Sequence, residues 1–372
     1  MSHLHSTRDM DYEEEKEPDI TSRRGYLLKD LARAFLQNLG DTGSIASGKL
    51  LHFTADMVTS GGLLLWEKLC WDYAFDHIGV ASPRIFHYLS RKFKDIHEKS
   101  AKLSFDAFCR LADVQRLCSE IVLILQACPK KTKPKLPSVP IDTHDNENWL
   151  RGVLRTTDKA AVRKVWQRNT DLEPMLHAGN EMVFAITEGA TERALFWAKW
   201  LLEEDALIRK RHGSGLTTLE RGPPQFKSAQ RASVGYYLIA VLAEVYKEFA
   251  EKGMVRMHEE FQALLDLYRT ADSRQKRKMD ILALMVQILT DVPRWKVPAA
   301  PSLVLDPTLL DRMVSQSETF FREVLTLPLP HKLLPATVTG MKKKKAKEPS
   351  KEDKLKQQLD FIDQAAMSFY KM

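Results

Sequence analysis

The sequence predicts an all-α protein, and three observations lead to this fold class. Apolar residues recur at steps of three and four along most of the chain, first at Leu27, Leu28, Leu31, Ala32, Phe35, Leu36 and Leu39. Helix-capping residues stand where such runs begin or end, such as Gly40 after the first run and Ser104 before a later one. No segment shows the two-residue alternation that is typical of a half-buried strand.

The individual helices follow from these signals in order. Gly79 ends the third apolar run, Ser82 and Pro83 open the fourth, and Pro129 ends the fifth. Polar capping residues also precede the three runs after that proline. The predicted helices cover residues 27–40, 50–58, 63–78, 84–96, 105–128, 157–169, 171–189, 191–213, 228–253, 255–270, 272–291, 306–325 and 351–372.

A segment rich in proline and lysine divides the predicted helices into two groups. Residues 128–140, "CPKKTKPKLPSVP", hold four prolines and four lysines, a composition that predicts no packed element. We therefore predict two multi-helix domains with additional terminal segments. The predicted parts are a disordered acidic tail (1–20), an N-terminal helical domain (21–128), a linker (129–147), a C-terminal helical domain (148–327), a basic tether (328–350) and a C-terminal helix (351–372).

The C-terminal helix carries one apolar stripe. Ser350 is its predicted N-cap, with Asp353 three residues further on. The stripe consists of Leu355, Leu359, Ile362, Ala366 and Phe369. An amphipathic helix on a tether is typical of a segment that docks into a partner protein. The same stripe is equally compatible with a helix that folds back onto its own chain.

Composition limits the classes of protein and of partner. The chain has 372 residues, of which 44% are hydrophobic, and this is sufficient for a large core. The net charge of +7 favours a nucleic acid, an acidic protein or an anionic membrane as a partner. The polar start and four cysteines without a CxxC pair indicate an intracellular protein. No apolar run approaches the roughly 20 residues that span a bilayer, so we expect a soluble protein.

Residues 42–51, "TGSIASGKLL", resemble a phosphate-binding loop. Gly43, Gly48 and Lys49 have the required spacing, but Leu50 occupies the position of the hydroxyl residue that binds magnesium. A helix, rather than a buried strand, precedes the segment. We therefore interpret it as a turn between two helices, and the sequence predicts no cofactor.

Candidates for a catalytic or metal site are weak. His52 and Asp56 are four residues apart, and Asp72 and His77 lie on the neighbouring predicted helix, so two packed helices could form a metal site. No paired ligand motif supports this arrangement, and we predict neither metal ligands nor catalytic residues. His144 lies among acidic residues next to the linker and is interpreted as solvent-exposed. The cysteines at 70, 109 and 118 fall within apolar patterns, which favours buried structural thiols.

Two basic clusters provide the predicted anion-binding site. One cluster closes a helix, where cations are favourable because of the helix dipole, and consists of Arg209, Lys210 and Arg211. The other opens a helix, where cations are unfavourable, and consists of Arg274, Lys276, Arg277 and Lys278. An anionic partner such as nucleic acid would offset that cost. The partner-binding residues that we predict for a protein partner are Leu355, Leu359, Ile362 and Phe369.

Two segments resemble a family of helical proteins from nucleocytoplasmic large DNA viruses of the phycodnavirus and mimivirus kind. Residues 51–89 contain a histidine, a glycine break, tryptophans with a cysteine, and a Ser-Pro pair, while residues 190–210 form a tryptophan-rich helix. The family has no established activity, so the resemblance implies no site residues. It implies a viral factor in replication, transcription or virion assembly, within the host cytoplasm or nucleus or in the virion.

These observations lead to three hypotheses of function. The first is a non-enzymatic interaction protein that bridges a protein partner and an anionic surface such as nucleic acid in replication or transcription. The second is a structural virion or minor capsid component. The third is an enzyme with an unrecognised site in a helical bundle, centred on His52, Asp56, Asp72 and His77.

Overall fold

A computed structural model gives the architecture. It describes residues 20–144, 146–156, 158–271, 275–291, 300, 302–303 and 307–335. Across these ranges the protein is helical and has no strand or sheet, which confirms the all-α class. The only pairings of the extended kind among them are two isolated bridges, Thr21 with Leu27 and Asp171 with Thr217.

The first group of helices surrounds α2. Their bounds are α1 (Leu28–Gly40), α2 (Ser44–Thr59), α3 (Leu63–Tyr73), α4 (Arg84–Lys102), α5 (Phe105–Arg110) and α6 (Ala112–Ala127). The side chains of α2 pack against α1, α3 and α6. On the inner side of α2, the side chains of Leu50, Ala55 and Met57 are fully buried in this core.

A π-helical turn links α3 to α4. It covers Ala74–Ile78 and ends at Gly79, whose φ of 50° is accessible to glycine at little cost. Ala74, Phe75 and Ile78 are buried there, so this turn contributes three apolar side chains to the core. The predicted end of the third helical run at Gly79 is confirmed.

The second group of helices surrounds α12 and α14. Their bounds are α7 (Glu147–Val153), α8 (Ala160–Val165), α9 (Glu173–Thr187), α10 (Thr191–His212), α11 (Ser228–Arg231), α12 (Val234–Glu251), α13 (His258–Thr270) and α14 (Gln275–Asp291). Both central helices contact α9 and α10. Gly213 follows α10 with φ of 75°, the left-handed conformation that ends many helices.

The last two described helices return to the first group. They are α15 (Pro307–Ser315), which packs on α6, and α16 (Ser317–Leu325), which packs on α2, α5 and α6. In addition, α4 contacts α13, and one cluster of buried apolar side chains extends through both groups. The two-domain division therefore stays a prediction. The helices α15 and α16, which belong to the predicted C-terminal domain, contact the N-terminal group of helices.

The predicted linker is extended up to Pro140 and is held by ion pairs. The Lys133 ammonium contacts Asp76 of the π-helical turn and lies 3.3 Å from an Asp280 oxygen of α14. The Lys131 ammonium lies 3.3 Å from Asp291. Residues 129–140 thus form no helix, as predicted, but their lysines connect the two groups of helices.

Several details of the helix prediction are wrong. The segment 42–51 is not a turn, because α2 begins at Ser44 with Gly43 as N-cap, so Gly48 and Lys49 lie within the helix. The run that Ser104 opens is two helices, since Leu111 is extended with φ of −72° and ψ of 115°. The runs 228–253 and 306–325 are also two helices each, with breaks at 232–233 and at Gln316, and α7 was not predicted. Apolar periodicity continues across breaks of one or two residues, so it does not reveal them.

The cysteines have a structural role. All four cysteines are free and buried, as predicted for three of them. Burial raises the pKa of the Cys109 and Cys128 thiols to about 11, and those of Cys70 and Cys118 are raised further. A thiol that stays protonated is a poor nucleophile, so these side chains contribute packing rather than chemistry.

Candidate functional site

A cleft of about 620 Å³ opens between the helices of the second group. Its walls come from α10, from the loop 213–233 that includes α11, and from α12, α13 and α14. Most of the lining is apolar, and three cations and two carboxylates lie among these side chains. The lining residues are Leu136, Lys199, Leu202, Glu203, Asp205, Ala206, Arg209, Phe226, Ala229, Gln230, Ser233, Tyr236, Tyr268, Lys278, Met279 and Leu282.

Two tyrosines form the floor of the cleft. The rings of Tyr236 and Tyr268 are 2% exposed and meet edge to face, with centroids 5.6 Å apart. Gly235 makes this packing possible, because a methyl group at that position would overlap the Tyr268 hydroxyl oxygen. Burial raises the pKa of both phenols above 10.0, so they remain neutral. The floor therefore consists mainly of apolar ring atoms, with one hydroxyl group on each ring.

Lys278 of α14 extends over this floor. Its ammonium lies 4.9 Å from the Tyr236 ring centroid, 5.1 Å from that of Tyr268 and 5.7 Å from that of Phe226. It also lies 3.5 Å from the Tyr236 hydroxyl. The electron-rich faces of aromatic rings attract a cation. These rings stabilise an ammonium in the first turns of α14, where the helix dipole disfavours it.

Arg209 of α10 holds the wall of the cleft in place. Its Nε donates to Asp205 Oδ2 at 3.0 Å, and an Nη donates to the Ala232 carbonyl at 2.8 Å. The other Asp205 oxygen accepts a hydrogen bond from the Leu216 amide at 2.8 Å. Arg209 and Asp205 therefore connect the last turns of α10 to both ends of the loop 213–233.

A buried ion pair fixes the middle of the same loop. The carboxylate of Asp171 is fully buried and pairs with Arg221, whose Nη1 lies 3.0 Å from Oδ1. The Thr217 hydroxyl donates to the same oxygen at 2.6 Å, and the Gln167 amide donates to Oδ2 at 2.8 Å. These bonds compensate the desolvation of the carboxylate.

The predicted linker provides another part of the wall. Leu136 lines the cleft, and the Lys199 ammonium donates to the Pro137 carbonyl at 2.8 Å. Further along, the His144 ring stacks on Trp200 with centroids 5.7 Å apart, and its Nδ1 lies 2.7 Å from a Glu204 oxygen. His144 is thus buried and in hydrogen-bonding contact with Glu204, and its interpretation as solvent-exposed is wrong.

Two residues from the separate basic clusters line the cleft together. Arg209 belongs to the cluster that closes α10, and Lys278 belongs to the cluster that opens α14. Arg277 instead points to the first group of helices, where it pairs with Asp72 and lies over the Phe75 ring at 5.8 Å. Its unfavourable place at a helix start is therefore offset within the chain.

The remaining predicted site residues lie elsewhere. Lys210 and Arg211 are exposed in the last turn of α10, outside the lining of the cleft. Arg274 and the side chain of Lys276 lie outside the described residues. So does the whole predicted partner-binding set, which consists of Leu355, Leu359, Ile362 and Phe369.

The four residues considered for a metal site have other partners. Asp56 accepts a hydrogen bond from the Ser22 hydroxyl at 2.5 Å, and Asp72 pairs with Lys68 and Arg277. His52 contacts Tyr26, and the His77 ring packs on Tyr73 with centroids 4.9 Å apart. Within the described part of the chain, no group of three histidine, cysteine or acidic residues is arranged to hold a metal ion.

Sequence reasoning missed the aromatic floor of the cleft. Tyr236 and Tyr268 fall in ordinary apolar helical patterns, and Phe226 stands alone between two predicted helices. Only Gly235 carried a signal, because a glycine in the first turn of a helix often marks a close approach of another group. Lys199 was missed as well, since it stands alone between tryptophans rather than in a basic run.

Comparison of the chain with protein-family models, with curated proteins and with solved structures gave no match. The resemblance to proteins of large DNA viruses therefore stays a prediction. In the helices that the structure describes, none has the length and apolar character needed to cross a membrane.

Proposed function

We propose that this protein is a non-enzymatic interaction protein that binds an acidic segment of a partner protein in the cleft. The preferred segment carries a carboxylate next to a large apolar side chain. The observation that carries this proposal is the convergence of Arg209 and Lys278, from two distant helices, on one cleft with an apolar floor. Binding sites commonly combine an apolar cavity with a few converging polar groups.

The charges of the cleft favour a single anionic group. Three cations and two carboxylates line it, and Arg209 pairs with Asp205 while Lys199 pairs with Glu203, so the lining carries one net positive charge. The Lys278 ammonium above the rings is placed to contact a carboxylate whose neighbouring side chain packs against the accessible apolar lining, such as Leu202 and Met279. A charge-assisted hydrogen bond of this kind contributes about 1.5–3 kcal/mol.

The same charges disfavour an extended polyanion at this place. Glu203 and Asp205 stand beside the cations, so a strand of phosphates would meet carboxylates along the cleft. The tyrosine rings are also too deeply buried for nucleobases to stack on their faces. A nucleic acid would find exposed cations at Lys210 and Arg211 rather than in the cleft.

The proposal is tested with defined peptides. Fluorescein-labelled peptides with one glutamate beside leucine, phenylalanine or tryptophan, and their glutamine counterparts, are titrated with the full chain and followed by fluorescence anisotropy. We expect the glutamate peptides to bind about tenfold more tightly than the glutamine peptides, the ratio that about 1.4 kcal/mol produces. Lys278→Gln should remove this preference.

Lys252→Gln is the matched control, because Lys252 is an exposed lysine outside the cleft. It should leave the preference unchanged. Equal affinity for glutamate and glutamine peptides would contradict the proposal. So would tight binding of a single-stranded DNA oligonucleotide that is weakened by Lys210→Gln with Arg211→Gln but not by Lys278→Gln, since that result would assign the anionic partner to the end of α10.

A further inference from the structure

A second opening lies in the first group of helices, between α1, α2 and α16. This groove has a volume of about 650 Å³ and shares no residue with the cleft. Its walls combine apolar and aromatic side chains with about as many polar ones, including one carboxylate and one ammonium group. The lining residues are Tyr26, Ala34, Gln37, Asn38, Asp41, Gly48, Lys49, His52, Phe53 and Phe320.

The floor of the groove is bare backbone at Gly48. Among the described residues, no heavy atom lies within 4 Å of the position that a Cβ would occupy there, although Gly48 is in the interior of α2. A glycine inside a helix costs about 0.5–1 kcal/mol relative to alanine, and it leaves this part of the helix surface without a side chain. Ile45, one turn earlier on the same face, is 75% exposed. The outer face of α2 is therefore open to an apolar helix.

An aromatic cluster forms one end of the groove. The ring of His52 lies edge-on to Phe53, with centroids 5.4 Å apart, and to Tyr26 at 5.9 Å. The Tyr26 hydroxyl is 3.3 Å from His52 Nε2. Burial, together with the nearby Arg24 guanidinium, lowers the pKa of His52 below 6.5, so the ring is neutral at neutral pH. This end of the groove suits an apolar side chain.

The described chain ends beside the same helix. The Leu334 amide donates to the Ser60 carbonyl at 3.1 Å, and Leu333 and Leu334 pack against Gly61 and Gly62 at the end of α2. Eight helical residues separate this point from His52, or about 12 Å. The segment 336–350 can span up to about 50 Å when extended. Residues 351–372 can therefore reach every part of the groove.

The apolar stripe of the C-terminal segment has matching dimensions. Leu355 and Phe369 would be separated by about 21 Å in a helix, and α2 is about 24 Å long. Asp363 would lie beside Leu359 and Ile362, so it can face Lys49 of the groove. The stripe needs apolar contacts, which Ala34, Phe53 and Phe320 provide, while the polar lining, with both Asp41 and Lys49, can contact the polar flanks of the helix.

We propose that residues 351–372 form a helix that docks in this groove of the same chain, with its stripe against Gly48 and the aromatic cluster. The proposal does not depend on the cleft. The C-terminal segment would then bind within its own chain. The groove would not be available to other proteins while the helix is docked.

Paramagnetic relaxation in the full chain tests the docking. A nitroxide is attached at Gln37→Cys, an exposed residue of the groove, and the isoleucine and leucine methyl groups are isotopically labelled. The four native cysteines are buried, so the reagent reacts with the introduced thiol. We expect the methyl signals of Leu359 and Ile362 to be broadened. A nitroxide at Lys252→Cys, outside the groove, should leave them sharp.

Two substitutions of Gly48, at the floor of the groove, provide a matched comparison of a large and a small side chain. Gly48→Phe fills the groove and should restore sharp signals, whereas Gly48→Ala should keep them broadened. The methyl signal of the core residue Ile85 verifies that each variant is folded. Sharp Leu359 and Ile362 signals in the parent chain would overturn the proposal. Broadening that occurs only when spin-labelled and isotope-labelled chains are mixed would also overturn it, because the occupant would then be a second copy.

Discussion

The cleft and the groove are openings of similar volume that are built in different ways. In the cleft, side chains from α10, α12, α13 and α14 converge, and the floor is two buried tyrosines under an ammonium group. In the groove, the floor is the backbone of α2 at Gly48. We expect converging side chains to select a ligand by charge, and a helix surface without side chains to select it by shape. Four changes test this difference, in order of decreasing effect on stability.

Arg221→Leu should have the largest effect, and it should be confined to the region of the cleft. It leaves the fully buried carboxylate of Asp171 without its cation, which costs about 3–5 kcal/mol. Urea denaturation measures this loss, and hydrogen exchange of α2 should remain as in the parent chain. Arg163→Leu is the control, since Arg163 and Asp158 form an exposed pair that contributes less than about 1 kcal/mol. Equal losses in the two variants would show that the loop 213–233 is not pinned by Arg221.

Gly235→Ala should destabilise the floor of the cleft. The added methyl group overlaps the Tyr268 hydroxyl, and such overpacking costs about 1–3 kcal/mol. Thermal or urea unfolding measures the loss. The double variant with Tyr268→Phe should recover part of it, because the hydroxyl oxygen is then absent. A double variant that is no more stable than Gly235→Ala alone would contradict the overlap as the cause.

Gly48→Ala should increase the stability of the protein, in contrast to Gly235→Ala. No atom of the described residues lies within 4 Å of the methyl group added at Gly48, and alanine loses less backbone entropy than glycine in a helix, so the free energy of unfolding should rise by about 0.5–1 kcal/mol if the docked helix also leaves room for a methyl group. Urea denaturation beside Gly235→Ala provides a direct contrast between the two floors. A loss of stability would mean that a group of the chain already occupies the space above Gly48 at the distance of a methyl contact.

His52→Gln should change the pH dependence of stability at the end of the groove. The folded pKa of His52 is lowered below 6.5, so the unfolded chain binds more protons between the folded pKa and 6.5. The parent chain therefore keeps its full stability above 6.5 and loses part of it as the pH falls through that window. The variant lacks this contribution. Urea denaturation of both proteins at about pH 7.5 and about pH 5.5 measures the difference, and parallel losses would contradict the assignment to His52.

Local signals predicted much of the secondary structure. The first run was confirmed as α1, Ser104 is an N-cap whose Oγ accepts from the Ala107 amide, and Gly213 ends α10. These signals are local, because a cap or an apolar period acts within a few residues of the chain. The same reasoning misjudged the segment 42–51, where two glycines and a lysine suggested a turn. Helix α2 includes them because Ala46, Leu50 and Leu51 are buried on its inner face.

The candidate site was predicted only in part. Arg209 and Lys278 were selected as cations and both line the cleft. Arg277, which precedes Lys278 in the sequence, instead pairs with Asp72 in the first group of helices. A basic run in a helix distributes its members around the axis, so the run alone does not show which of them share a surface. The tyrosine floor was not predictable, because its rings come from helices whose packing the local patterns leave undetermined.

The sequence by itself determined the all-α class, the approximate extent of most helices and the burial of the thiols. Each of these depends on apolar period, caps and composition, which act along the chain. Only the tertiary structure decided that Lys278 lies over Tyr236 and Tyr268, that His144 is buried against Glu204, and that Gly48 faces an open groove. These features depend on which helix faces meet, and that choice is made by packing between residues that are distant in the sequence.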